Sequence, residues 1–312
     1  MGKMESLSEL SRSIGSPGEE EAGGMRRVTV VGFGTMGQGI TQVIAQAGLD
    51  VEVIETNEKN LTKHMAGLSA SLDEEISRWG MTAGEKKALL SRVHGHTDLS
   101  VAAETDLVIE AINEDLPMKR ALFQRLDKIC RRDTIFVSNT GSLSITEISE
   151  ATERKDRVIG MHFLNPVPKI PLVEVIRGLK TSDETMEVIQ GFVDILGKSA
   201  VEVYEYPGFV TTRVIVPMLN EAMHVLMEGV ATAEGIDTAM QKGFNFPIGP
   251  LALADQMGLD LVLKWMSTLF RELGEPQYRP CPLLRKMVRD GHLGRKSGRG
   301  FFTYETNGHQ AK

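Results

Sequence analysis

Cysteine is scarce. The 312-residue chain has two, Cys130 and Cys281, too few and too far apart for a disulfide framework or a metal-ligand cluster. That fits a reducing compartment, and the expectation is a cytoplasmic protein without a metal. Long apolar runs are missing as well. No stretch approaches the ~20 residues needed to span a bilayer, and no signal-peptide pattern opens the chain, so a membrane partner is not expected. Positive charge is in deficit, with a net charge of -7 that argues against a nucleic-acid partner. No 20 to 50 residue repeat suggests a solenoid.

What remains is ordinary for a folded globular protein: 41% hydrophobic and 25% charged residues. The length exceeds the ~250 to 300 residues at which single cores stop growing, so two domains are expected. Residues 1–25, with S-P-G-E-E-E-A-G-G, are small, acidic and aperiodic and read as a disordered leader.

From Arg26 the texture changes. R-R-V-T-V-V reads as a strand, and Met36, Ile40, Val43, Ile44 and Ala47 follow helical spacing. D-V-E-V-I-E is a second strand ending at Glu55, and residues 57–92 read as a charged helical pair turning near Gly80 to Gly84. Further apolar strands cover 106–112, 135–139 and 157–163, with helical stretches between them. This alternation predicts an α/β fold of the doubly wound Rossmann type, with a mainly parallel sheet. After S-A-V-E-V-Y (199–204) the segment Y-P-G-F-V breaks the pattern, and helical spacing dominates from Thr211 onward. The expected domains are 26–206 for dinucleotide binding and a helical 207–312.

Gly32-Phe33-Gly34-Thr35-Met36-Gly37 is G-x-G-x-x-G, a common pattern whose force comes from its place between a strand and a helix. There the backbone can approach a pyrophosphate at a helix N-terminus. Glu55 lies 21 residues after Gly34, where a carboxylate accepts hydrogen bonds from an adenosine ribose. It would repel a ribose phosphate, and no arginine follows within three residues, so NAD is expected as cofactor rather than NADP.

Ligands of such sheets bind beyond the carboxyl ends of the strands. Glu110, Glu114, Asn139 to Ser142 and His162 sit at three such ends. Removing hydride from an alcohol requires a base with a pKa near neutrality, which makes His162 the candidate. Glu174, twelve residues on in the apolar P-L-V-E-V-I, needs a partner if buried and could orient the ring.

These residues resemble the L-3-hydroxyacyl-CoA dehydrogenase family, including 3-hydroxybutyryl-CoA dehydrogenases, across about residues 26–304. The likeness rests on V-G-F-G-T-M-G-Q-G-I, V-I-E-A-I-N-E-D-L-P-M-K, S-N-T-G-S-L-S-I-T, M-H-F-L-N-P-V-P, L-V-E-V-I, P-G-F-V-T-T-R, F-P-I-G-P-L-A-L-A-D and G-R-K-S-G-R-G-F-F-T-Y, in that order. The resemblance implies a Rossmann-type domain, a helical domain that dimerises, an acyl-CoA substrate and an active site between the domains. It implies His162 as catalytic base and Glu174 as orienting acid. It further implies Glu114, Lys119, Asn139 and Lys296 near NAD, and Ser71, Arg78 and Lys119 near coenzyme A.

Two positions depart from the family pattern. Gly141 stands where the family has a serine that donates to the substrate oxygen, and Thr212 where it has an asparagine. With Ser142 beside them, they make an altered acyl pocket the expectation, suited to a branched, cyclic or more polar chain. The alternatives are a dehydrogenase for carrier-bound or non-CoA hydroxy acids, and an NAD-binding homologue with impaired turnover.

Overall fold

The computed structural model describes Met25 and residues Arg27–Tyr304; the expected leader lies outside the described residues. The chain divides into two compact units at Glu205/Tyr206. Among the described residues no helix is long and apolar enough to cross a membrane.

The first unit is built on an eight-stranded sheet in the order β3-β2-β1-β4-β5-β6-β7-β8. β1 (Arg27–Val31) lies between β2 (Asp50–Ile54) and β4 (Leu107–Glu110), parallel to both. The strand order reverses between β1 and β4, which opens a crevice beyond their carboxyl ends. β4 and β5 (Ile135–Ser138) are buried throughout, the mark of strands covered on both faces.

α1 (Thr35–Gln46) follows β1 with Gly34 as its N-cap and no side-chain cap. α2 (Glu58–Ser77) starts from Asn57, whose side chain accepts the Asn60 N–H. α3 (Ala83–Leu90) starts with a reciprocal capping box between Thr82 and Glu85. β3 (Val93–His96) is a short strand parallel to β2. Its V-H-G-H sequence, at the end of the helical excursion, carries no apolar alternation that would announce it.

The end of the sheet breaks the parallel rule. β6 (Val158–Phe163) pairs antiparallel with β7 (Leu172–Arg177), which in turn pairs parallel with β8 (Ser199–Tyr204). The register sets His162 directly opposite Glu174. Opposite residues of an antiparallel pair project to one face, so this pairing brings the two side chains together.

The second unit is helical, from α7 (Thr211–Met227) to α11 (Pro282–Arg289), around Val216, Leu219, Met223, Leu259 and Met266. Asp237 accepts the N–H groups of Leu251 and Ala252 at the start of α9 (Pro250–Met257). A Cβ on Gly249 would fall 2.2 Å from Asp237, which accounts for the glycine in P-I-G-P. Asp255 likewise accepts the Phe301 and Phe302 N–H groups and the Tyr304 hydroxyl, so G-R-G-F-F-T-Y is a buried anchor within this unit.

Candidate active site

The three glycines after β1 have distinct physical roles. Gly32 has φ +94°, and a Cβ there would press on the Ala111 carbonyl oxygen at 2.7 Å. A Cβ on Gly37 would sit 1.9 Å from the Gly32 oxygen, so only glycine lets α1 lie this close to the loop. Gly34 faces open space, with nothing within 4 Å of its Cβ position. A turn, an open approach and a tight helix contact are the requirements of a pyrophosphate cradle at a helix N-terminus. Thr35 and Met36 form the first turn of α1 beside this opening.

Glu55 is buried at the end of β2. One carboxylate oxygen accepts the Thr56 N–H at 2.7 Å, and the other lies 3.0 Å from His64 Nδ1. Burial pushes its carboxyl up, but the bonds from Thr56 and His64 outweigh this and hold it below the usual range. It is therefore an ionised acceptor, as a ribose diol requires.

Beyond β4 lies a buried charge network. Lys119, on α4 (Leu116–Ile129), donates to both oxygens of Glu110 at 2.6 and 2.8 Å, and both residues are fully buried. Ser138 and the Ile112 N–H also donate to Glu110. Burial pushes the Glu110 carboxyl up, with the Lys119 ammonium as the leading opposing influence. Glu114 lies 3.6 Å from the same ammonium. Its other oxygen accepts the Thr140 hydroxyl at 2.6 Å, the Gly141 N–H at 3.1 Å and the Ser142 hydroxyl at 2.9 Å. The loop after β5 is thus gathered onto Glu114, and the Ser142 hydroxyl is engaged there. Asn139 bridges to β6 by accepting the Phe163 N–H.

Above that loop stands His162, whose Nδ1 donates to Glu174 Oε2 at 2.7 Å; the two side chains are 7% and 1% exposed. The bond assigns the proton to Nδ1 and leaves Nε2 as the basic nitrogen. Nε2 lies 3.0 Å from the position a Cβ would take on Gly141. The pair has the geometry of an oriented general base.

Ser71 and Arg78 share a groove of about 460 Å³ with Gln46, Glu75, Pro166 and Lys169. Lys119 is separated from them. Its ammonium is held beneath the strand ends by Glu110 and Glu114, because an unpaired buried cation would be costly. In the second unit Thr212 is buried in the first turn of α7, and Lys296 pairs with Asp260 at 2.5 Å. Sequence reasoning overlooked His64, which reads as an ordinary polar position on a charged helix; its contact with Glu55 is visible only in three dimensions.

Comparison with known proteins identifies the family. Residues 27–206 match a family described as "3-hydroxyacyl-CoA dehydrogenase, NAD binding domain", and residues 208–304 match "3-hydroxyacyl-CoA dehydrogenase, C-terminal domain". A probable 3-hydroxybutyryl-CoA dehydrogenase of Bacillus subtilis is 48% identical over 90% of this chain and 98% of its own length. The human mitochondrial hydroxyacyl-coenzyme A dehydrogenase is 42% identical over 90% of this chain and 92% of its own. The crystal structure of (S)-3-hydroxybutyryl-CoA dehydrogenase from Ralstonia eutropha superposes with a TM-score of 0.85 at 45% identity, covering 90% of this chain and 100% of that one. The chain belongs to the NAD-dependent 3-hydroxyacyl-CoA dehydrogenase family.

Proposed function

We propose that the chain reversibly oxidises (S)-3-hydroxyacyl-CoA thioesters to 3-ketoacyl-CoA, with His162 as general base and Glu174 as its orienting acid. The observation that carries this reading is the 2.7 Å bond from His162 Nδ1 to Glu174. NAD supplies the hydride acceptor. The C3–H bond breaks with its electron pair leaving as hydride, and the hydroxyl proton passes to His162 Nε2. The carbonyl forms at C3, and Glu174 stabilises the resulting imidazolium. Glu114 holds the loop that borders the reacting carbon, while Gly34 leaves room for pyrophosphate and Gly32 and Gly37 permit the tight turn and the close packing of α1 behind it. Thr35, Met36 and Asn139 complete the cofactor surroundings in this reading, with Lys119 paired to Glu110 and Glu114 beneath them.

Ser71, Arg78 and Lys169 line the groove that takes the coenzyme A arm. The acyl side of the site in this reading carries Gly141 where the family pattern has a serine. With the Ser142 hydroxyl engaged by Glu114, the missing donor is replaced by water or by a polar or bulky group of the substrate itself. A cytoplasmic location and a homodimer belong to the same reading, the dimer supported by the exposed apolar residues Val214, Val230 and Phe244 on the helical unit.

The test is NADH formation with a panel of (S)-3-hydroxyacyl-CoA thioesters: short, long, branched, aromatic and dicarboxylic. Turnover confined to bulky or polar acyl groups is expected. Strong turnover of the four-carbon substrate would mean that Gly141 is merely tolerated. NAD binding without turnover on any member would overturn the reading.

A further inference from the structure

His64 touches both parts of the loop-and-carboxylate arrangement that receives the adenosine end of the cofactor. It projects from α2, and its Nδ1 lies 3.0 Å from Glu55 Oε2. Its ring meets that of Phe33, the fully buried second residue of the glycine loop, edge-on at 6.5 Å between centroids. Because a carboxylate only accepts, Nδ1 carries the proton of the neutral ring and Nε2 takes up the second one. The side chain is 22% exposed, so protons reach it from solvent. The neighbouring charged groups are otherwise occupied or turned outward. His96 is bonded to Glu52 at 2.6 Å across β2 and β3, Glu58 accepts the Thr97 hydroxyl, and Lys59 and Lys63 are exposed.

We propose that His64 is a positioning residue that sets the choice between NAD and NADP and makes that choice depend on pH. The proposal rests on the reading of Glu55 as the ribose acceptor. With His64 neutral, Glu55 presents an uncompensated negative charge to the ribose and repels a 2′-phosphate. With His64 protonated, the two side chains form an ion pair of zero net charge, and the repulsion falls. The Thr56 N–H and the edge of Phe33 keep carboxylate and ring in place through the change, so the response is electrostatic and needs no rearrangement. The relevant separation is a few ångströms in a half-buried setting, where a single charge is still strongly felt.

The experiment is titration of NADH and NADPH into the full-length protein, followed by nicotinamide fluorescence at pH 5.5 and pH 8, which requires no acyl substrate. The ratio of the NADPH to the NADH dissociation constant is expected to fall about five- to ten-fold on acidification. The 2′-phosphate itself titrates with a pKa near ~6. His64→Gln, whose amide can still donate to Glu55, removes the ring's contribution and measures that background. His64→Lys, a fixed cation, is expected to give weak discrimination at both pH values. A wild-type ratio whose change with pH equals that of His64→Gln would overturn the proposal, as would strong discrimination at pH 8 by His64→Lys. Glu55→Gln separates the two levels. Loss of discrimination in that variant with pH-independent His64 behaviour sinks the role of His64 alone, whereas unchanged discrimination sinks the reading of Glu55 itself.

Discussion

The Gly141 backbone lies so close to His162 that an added Cβ would stand 3.0 Å from Nε2. Contacts at that distance require the neighbour to give by a few tenths of an ångström, and the neighbour here is the basic nitrogen. Gly141→Ser should therefore restore a donor and fill the space at once. We expect the variant to shift preference toward the four-carbon thioester and to lose about ten-fold or more in kcat/KM on larger acyl groups. Steady-state kinetics across the acyl panel check this. A gain on the four-carbon substrate with no loss elsewhere would show that the space is not used by substrate.

Glu174 offers a cleaner separation of binding from chemistry. Glu174→Gln keeps the shape opposite His162 but removes the negative charge beside Nδ1, which in the proposed reaction stabilises imidazolium. The expected outcome is a fall in kcat of about 10² to 10⁴, with NADH binding by fluorescence unchanged. An unchanged kcat would remove the orienting role.

The glycine loop predicts opposite phenotypes at neighbouring positions. Gly37→Ala would drive α1 off the loop, since its Cβ would meet the Gly32 oxygen at 1.9 Å, and a stability loss of about 2–3 kcal/mol is expected. Gly34→Ala has open space and should melt at the wild-type temperature, yet bind NADH at least ten-fold more weakly because the methyl group enters the pyrophosphate approach. Thermal melts with and without NADH distinguish the two. Equal destabilisation by both would contradict the division of roles.

Both thiols should be silent in the native protein. Cys130 and Cys281 are buried, and burial pushes the Cys130 thiol up to about 11, so little reactive thiolate exists near neutrality. An aromatic disulfide reagent at pH 8 should titrate no fast thiol in the folded protein and two after denaturation. Rapid labelling of a native thiol would show local opening.

The buried Lys198 holds the segment that carries the groove residues Pro166 and Lys169, donating to the Val167 and Ile170 carbonyls at 2.7 Å each. Lys198→Met should cost about 1–3 kcal/mol, because two carbonyls lose a charged donor, and should raise KM for CoA thioesters more than it lowers kcat. Denaturant unfolding and kinetics measure both effects.

Local chemistry made much of this protein legible in sequence. A strand, three glycines and a helix need only short-range geometry, and Glu55 falls at the end of the next strand because the strand–helix–strand unit has a characteristic length. His162 and Glu174 could be named as candidates from their residue types and apolar surroundings. The tertiary structure alone decided that they meet. Nothing in V-I-G-M-H-F or L-V-E-V-I states that β7 returns antiparallel, and a one-residue slip in register would send Glu174 to the other face. The same holds for Lys119, a charged residue on a helix that reads as a groove contact until the fold closes over it and Glu110. It holds for His64, nine residues from the carboxylate it touches, and for Ser142, whose hydroxyl turns to Glu114. Sequence pattern fixes which groups lie at the strand ends. Which of them face one another depends on strand direction, register and burial, and these are settled by packing across the whole sheet.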